Sequence, residues 1–246
     1  MRRSRGFTLL ELLVAVGLLA LLVLVLSLVF SHGLKALHVG YNRAEMYANA
    51  RTALDEMIRE IPTAICDGTS SYRFLGVAAA GPGKLRGSGS VGPELYFVGQ
   101  VAGAGKSDVA EMGYWLSSSN PSDRPPRELM RFYVTDDATT GFELYTAPAF
   151  APDFATPGGG TSSNLLAENI ANLTILYHYR TAPDTWANPP VENWDSALNL
   201  VPNVDAQGRP KDPDGLPDAV EVRVIVQDEL QKESPKTLTV FIPLET

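Results

Sequence analysis

The chain has 246 residues, of which 45% are hydrophobic, and a formal net charge of −8 at pH 7. This length accommodates one substantial domain, or a domain with an additional extended element. The acidic balance, with no basic cluster in the bulk of the chain, argues against nucleic-acid binding. The single cysteine, Cys66, excludes an internal disulfide, and we expect it to be a small buried apolar residue.

The first thirty residues combine a short basic segment with a long apolar one. Arg2, Arg3 and Arg5 precede a run from Phe7 to Phe30 in which Glu11 is the only charged residue. A helix over that run extends about 36 Å, enough to cross a bilayer core of about 30 Å. Because positive residues tend to stay in the cytoplasm, the sequence predicts one inner-membrane span with its N-terminus cytoplasmic and the rest of the chain in the periplasm.

The order of these segments differs from an ordinary signal peptide, in which a small-residue cleavage site follows the apolar region. Here the basic leader ends at Gly6, directly before the apolar run. Residues 6–15, GFTLLELLVA, closely resemble the type IV prepilin signature. The resemblance implies cleavage between Gly6 and Phe7 by a prepilin peptidase, N-methylation of Phe7, and Glu11 as the fifth residue of the mature chain.

The carboxylate of Glu11 is the unusual group within this apolar run. Insertion scales assign a cost of roughly 2.5–3.5 kcal/mol to such a charge in a membrane helix, so it usually has a partner and a function. In the family that the signature resembles, this glutamate pairs with the terminal amine of a neighbouring subunit and sets the axial register during assembly. The alternative is that Glu11 lies at the headgroup level and extends toward water.

After Phe30 the apolar residues continue at helical spacing, with charged residues between them. One stripe consists of Leu34, Leu37, Tyr41, Ala44 and Ala48, and a second of Tyr47, Ala50, Leu54, Ile58 and Ile61. Pro62 is expected to end the helix. The pattern predicts one helix of roughly 50 residues whose second half packs on a sheet. A coiled-coil dimer is the alternative, but its a/d pattern does not continue beyond about two heptads.

The remainder of the chain has the pattern of short strands separated by loops rich in Gly, Pro, Ser and Asp. Surface loops are predicted at Gly81–Pro93, Gly99–Lys106 and Ala147–Ser163. Apolar and polar residues alternate in Val220–Gln227. This segment and the following Thr237–Pro243 are predicted to form an antiparallel hairpin. The predicted strands are Glu94–Val98, Val109–Leu116, Glu128–Val134, Phe142–Tyr145, Leu173–Arg180, Val220–Gln227 and Thr237–Pro243.

These elements predict an α+β protein in which a long N-terminal helix packs on an antiparallel β-sheet head, and the resemblance to type IV prepilins implies a pilin-like fold. The predicted organisation is a cleaved leader at residues 1–6, a membrane or filament-core helix at 7–30, an amphipathic continuation at 31–61 and a periplasmic β-rich head at 62–246.

Several segments resemble the J-type minor pseudopilin of type II secretion and the related W-type minor pilin: ARTALDEMIREI, VAEMGYWL, ANLTILYHYR, GLPDAVEVRVIV and TLTVFIPL. The resemblance implies a tip or priming subunit of a short periplasmic filament that assists protein export. Its implied partners are I- and K-type subunits, an inner-membrane assembly platform and membrane lipid. One alternative is a minor pilin that initiates a type IV pilus or mediates adhesion. Another is an uncleaved, membrane-anchored ligand-binding module.

The candidate metal site is an acidic loop in which Asp212, Asp214 and Asp218 supply oxygen atoms for Ca²⁺ and Gly215 permits a sharp turn. The segment lacks EF-hand spacing, and the same residue types are ordinary in turns, so a plain turn is the alternative. No other cofactor is predicted.

The histidines and two of the tryptophans are also candidate functional residues. His32, His38 and His178 are scattered along the chain and are interpreted as structural or solvent-facing. Trp186 and Trp194 are interpreted as loop anchors, with a carbohydrate or partner platform as the alternative. No nucleophile elbow, phosphate loop or CxxC pattern is present, so we do not expect an enzyme.

Overall fold

The computed structural model describes residues 8–66, 74–79, 90–100, 109–117, 127–135, 162–182, 185–187, 189–195, 215–227 and 234–244. The chain divides into two units, Met1–Glu45 and Met46–Thr246. In its described part, the first unit consists of helix, whereas the second contains the rest of that helix and all the described strands.

Helix α1 comprises Leu9–Glu60 and is followed by a 3₁₀ turn at Ile61–Thr63. Its first half is rich in Leu, Ala and Val, and leucine and alanine are strong helix formers. Pro62 lies within the 3₁₀ turn, where it requires no hydrogen bond from the α-helical ladder. The predicted helix end at Pro62 is therefore confirmed.

The buried face of α1 begins at Met46. Within the second unit, Leu54 and Met57 are buried, and the small residues Ala50 and Ala53 allow the helix to approach the sheet closely. Two details of the predicted stripes were wrong. Residues of the first stripe are exposed, as Tyr41 illustrates at 74%, and Ile58 of the second stripe is 39% exposed. The buried stripe begins at Met46, one residue before the predicted start at Tyr47. It also includes Ala53 and Met57, which the predicted stripe did not.

The strands are all paired in antiparallel fashion. In chain order they are β1 (Ala64–Ile65), β2 (Leu75–Val77), β3 (Ser90–Gln100), β4 (Val109–Ser117), β5 (Arg127–Thr135), β6 (Ser162–His178), β7 (Arg180–Ala182), β8 (Thr185–Trp186), β9 (Trp194–Asp195), β10 (Ala219–Val226) and β11 (Lys236–Pro243).

The main sheet has the strand order β11-β10-β6-β5-β4-β3-β2-β9, with β1 paired to β3, and β7 and β8 form a separate pair. This long helix packed on an antiparallel sheet confirms the predicted α+β, pilin-like architecture. The predicted hairpin is also confirmed, because β10 and β11 pair continuously from Ala219–Pro243 to Val226–Lys236.

Three loop predictions were wrong at their ends. Strand β3 already begins at Ser90 and continues to Gln100, and β6 begins at Ser162 rather than near Leu173. Pro93 is accommodated in β3 because the pairing with β4 shifts register between Ser90 and Glu94. The predicted strand Phe142–Tyr145 lies outside the described residues.

The core lies between α1 and one face of the sheet. In β10, Val220, Val222, Val224 and Val226 are buried on that face, as the alternation predicts. Strand β4 is buried on both faces, with Tyr114 facing the main core and Trp115 in a second small cluster with Phe132. Burial on both faces explains why β4 has a nearly continuous apolar sequence.

One close aromatic contact joins distant parts of the sheet. Tyr177 of β6 pairs its backbone with Val191, and the chain continues into β9, which pairs with β2. The Tyr177 ring lies directly on Gly76 of β2, where an added Cβ would lie 2.0 Å from the hydroxyl oxygen. Glycine is therefore required at residue 76 for this packing. Cys66 is buried, as predicted.

Candidate functional site

Thr8 and Glu11 form a reciprocal capping arrangement at the start of α1. The Thr8 backbone N–H and hydroxyl each donate to Glu11 Oε2 at 3.0 Å, and the Glu11 backbone N–H donates to Thr8 Oγ1 at 3.3 Å. The first helical bond runs from Leu12 N–H to the Thr8 carbonyl at 3.2 Å. This is a capping box, which satisfies backbone donors that the helix itself leaves unpaired.

The capping box directs the Glu11 carboxylate toward the N-terminal end of the helix. Among the residues that the structure describes, no hydrogen bond to Glu11 Oε1 is recorded, so this oxygen can accept a donor from outside the described chain. Thr8 is the second residue after the predicted cut, so cleavage would leave its N–H and hydroxyl in place. Gly6 and Phe7 lie outside the described residues, and the predicted cleavage and methylation there stay predictions.

The role of Thr8 was missed by the sequence analysis, although its signal is visible in the sequence. The spacing Thr-x-x-Glu before an apolar run is the pattern of a capping box. Glu11 was interpreted by its charge alone, whereas the geometry adds a local structural role for the same carboxylate.

The apolar segment of α1 is exposed along its length. Its most apolar window has a mean hydropathy of 3.2 and no part of that window is buried within the chain. Typical exposures are 64% for Leu18 and Leu19 and 68% for Phe30. By length and composition, this helix is able to cross a membrane. An exposed apolar surface of this extent is typical of a segment that lipid or another apolar surface covers.

A charged network connects the end of α1 to the sheet. The Arg131 guanidinium of β5 binds both carboxylate oxygens of Glu60, with Nε at 3.0 Å from Oε2, and the Tyr114 hydroxyl donates to the same carboxylate. Glu56 lies 3.8 Å from the guanidinium, and Arg131 also lies over the Tyr133 ring at 4.5 Å. Burial, followed by the charge of Glu60, raises the pKa of the Tyr114 hydroxyl well above its ordinary value.

We predict that Arg131→Ala lowers the free energy of unfolding by about 2–3 kcal/mol, because it leaves the half-buried carboxylate of Glu60 without its bidentate partner. Urea titration of the tryptophan fluorescence in detergent measures the effect. Arg223→Ala is the matched control, since the Arg223 side chain is 46% exposed in its pair with Glu221 and water screens that pair, so we expect a clearly smaller loss. Equal losses in the two variants would contradict the anchoring role of Arg131.

The predicted calcium ligands are not brought together by the described structure. Asp212 and Asp214 lie outside the described residues, and Asp218 accepts the Arg180 backbone N–H, with the Arg180 Nε 4.0 Å from its other oxygen. Within the described segments, no group of three His, Cys, Asp or Glu side chains is arranged to hold a metal ion. The calcium site therefore stays a prediction.

The histidines and the two tryptophans have different environments. His32 and His38 are exposed on α1, whereas His178 lies 2.9 Å from Glu221 Oε2. Trp194 is buried and donates its indole N–H to the Gly215 carbonyl at 2.8 Å, as an anchor should. Trp186 is 41% exposed and contacts the His178 ring edge-on, so the anchoring interpretation was wrong for this residue.

Comparison with known proteins identifies one matching segment. The family model described as the prokaryotic N-terminal methylation motif matches residues 1–27. This range includes the basic leader, Gly6, Phe7, the Thr8–Glu11 capping box and most of the exposed apolar helix. No curated protein matches the chain.

Proposed function

We propose, from the type IV pilin-like prepilin signal that this chain carries at residues 1–27, that it is a minor pseudopilin of a type II secretion system. In this role it is a tip or priming subunit of a short periplasmic filament that assists protein export. The motif supports the pilin and pseudopilin family as a whole. The assignment to a J-type subunit rests on the sequence resemblance of the head.

The observation that carries the proposal is the coincidence of the signal with an apolar helix whose one charged group, Glu11, lies near the predicted new terminus. Leader cleavage would place a terminal amine at Phe7, close to the capped carboxylate in the same chain and accessible to those of neighbouring chains. Pairing between subunits then neutralises a charge that is costly in an apolar surrounding. The exposed leucines and valines of α1 would be covered by equivalent helices in the filament.

No chemistry is required of the head in this proposal, and we do not propose an enzyme. The proposed partners are a prepilin peptidase, other pilin-like subunits of the I and K types, an inner-membrane assembly platform and lipid. The proposed location is the inner membrane with a cytoplasmic N-terminus, followed by the periplasmic filament. A minor pilin of a type IV pilus is the second candidate, because the same signal and helix serve both machines.

Mass spectrometry of the N-terminus of the native protein tests the proposal. We expect a mature chain that begins at N-methylated Phe7. A native chain that keeps Met1 and the three leader arginines would instead support an uncleaved, membrane-anchored ligand-binding module. Deletion of the gene then separates the two machines: loss of secreted proteins from the medium indicates secretion, and loss of surface fibres indicates a pilus.

A further inference from the structure

The two edge strands of the main sheet differ in how readily another strand could pair with them. Strand β9 forms one edge and has only two residues, whereas β11 forms the other edge with eight residues. Among the described residues, β11 pairs with β10 alone. A long edge strand presents unpaired backbone groups that can bind another chain, whereas a very short one cannot.

The backbone direction of β11 identifies which residues face the free edge. Leu244, directly after the strand, donates its N–H to the Asp218 carbonyl at 3.0 Å, in continuation of the β10–β11 ladder. Alternate residues of an antiparallel strand direct their backbone groups to the same neighbour, so the even-numbered residues of β11 bond to β10. The backbone groups directed to the free edge are those of Thr237, Thr239, Phe241 and Pro243.

From Thr237 to Pro243, this edge lacks two of the features that usually prevent strand addition, which are charged side chains and register shifts. No charged residue occurs from Thr237 to Pro243, and the ladder with β10 has no register shift that would twist the strand away. Lys236 and Pro243 stand only at the two ends, and Pro243 has no N–H to offer. The open segment is therefore Thr237–Phe241. Its residues Thr237, Thr239 and Phe241 each direct a backbone N–H donor to the free edge.

An exposed aromatic cluster lies beside the open segment on the outer face of the sheet. Phe241 is 51% exposed and Trp186 is 41% exposed, and their ring centroids are 5.9 Å apart. His178 contacts both rings, at 5.1 Å from Phe241 and 6.1 Å from Trp186. Clustered exposed aromatic rings are typical of protein interfaces. Arg180 lies over the Trp186 ring at 5.0 Å, so a ring face that a sugar would stack on is occupied.

Among the described residues, two exposed arginine side chains lie beside this cluster, although the whole chain carries −8. The side chains of Arg180 and Arg223 are 47% and 46% exposed. Their acidic neighbours are recessed, with Asp218 at 21% and Glu221 at 13%. Because each arginine is more exposed than the acid it pairs with, it can contact and orient a negatively charged partner.

We propose that β11 is a docking edge for an extended acidic segment of another protein, which adds as a strand along Thr237–Phe241 and packs beside the Trp186–Phe241 cluster. The backbone of the open segment supplies the hydrogen bonds, and Arg180 and Arg223 favour a partner that carries negative charge. This surface lies on the head and goes beyond the proposed function. Its test requires neither leader cleavage nor a filament.

The test uses the full chain in detergent and two blocked synthetic peptides of the same length as β11. Both alternate valine with threonine, and two of the threonines are replaced by glutamate in one peptide and by lysine in the other. We expect the glutamate peptide to bind and to reduce acrylamide quenching of tryptophan fluorescence, because Trp186 is the exposed tryptophan and Trp115 and Trp194 are buried. We expect the lysine peptide to bind at least tenfold more weakly, an order-of-magnitude effect of about 1.4 kcal/mol.

Three variants separate the contribution of the backbone hydrogen bonds from that of the charge. Thr239→Pro removes one outward N–H and leaves the β10 ladder intact, so we expect binding to weaken roughly tenfold. Thr239→Ala retains that N–H and should bind like the parent chain. Arg223→Glu should reduce the preference for the glutamate peptide and is informative even if the proline variant fails to fold.

Four outcomes would overturn the proposal: no binding of the glutamate peptide at about 1 mM, a binding range weaker than most specific complexes; equal binding of both peptides; unchanged binding in a folded Thr239→Pro variant; or self-association that Thr239→Pro abolishes. The last result would assign the edge to a second copy of this chain.

Discussion

Gly6→Ala should leave the full-length chain in the membrane with its six-residue leader intact. The predicted cut requires a peptidase to reach the backbone beside residue 6, and a glycine without a Cβ permits the closest approach. An added methyl group at the scissile bond obstructs it. The retained Arg2, Arg3 and Arg5 then keep the start of the helix on the cytoplasmic side, and no terminal amine forms at Phe7. Intact-mass spectrometry of the membrane fraction measures the retained leader.

Gly17→Ala is the matched control for this experiment. Gly17 lies in the same apolar helix, and a Cβ added there would meet no atom within 4 Å. Alanine also favours a helix over glycine by roughly 1 kcal/mol, so insertion should be unharmed. We expect complete processing of the control and little or none of Gly6→Ala. Normal maturation of Gly6→Ala would refute the assigned cleavage site.

The features predicted correctly are those that local chemistry determines. Proline cannot continue an α-helix, so the end of α1 near Pro62 follows from the sequence. The valines of β10 alternate strictly, which specifies both the strand and its buried face. At the N-terminus, the methylation motif matched at residues 1–27 is a continuous stretch of the chain, so it is recognisable without a fold.

The features missed depend on backbone irregularities or on contacts between distant residues. The first half of β6 contains Asn164, Glu168 and Asn169, and its pairing with β5 shifts register twice. Asn169 has a φ of 63°, a left-handed conformation that asparagine tolerates. Apolar alternation therefore does not reveal this strand.

The Glu60–Arg131 pair joins residues 71 positions apart, so no local pattern connects them. A clue was present in α1, where Glu56 and Glu60 are acidic residues one turn apart near the end of the helix. Such a like-charged pair is unfavourable unless a cation approaches it. The sequence could thus indicate the need for a basic partner but not that β5 supplies it.

Glu11→Gln should impair filament incorporation about as severely as Glu11→Ala, while the leader is still removed from both variants. Glutamine can replace glutamate in a capping box but carries no charge to pair with the amine of a neighbouring subunit. Hydrogen bonds between charged groups are stronger than neutral ones, so the loss of the proposed pair predicts a decrease in incorporation of roughly tenfold or more. The fraction of the chain that sediments with sheared filaments measures it, and N-terminal mass spectrometry verifies processing.

Thr8→Ala separates the capping role that the structure shows for the Glu11 carboxylate from the proposed charge pairing between subunits. This variant removes the hydroxyl that exchanges hydrogen bonds with Glu11 but keeps the charge, and loss of such a cap costs about 1 kcal/mol. If charge pairing governs assembly, Thr8→Ala should lower incorporation only modestly, well short of the Glu11→Gln effect. The opposite ranking, with Glu11→Gln near the parent chain and Thr8→Ala as poor as Glu11→Ala, would show that Glu11 acts as a helix cap and not through its charge.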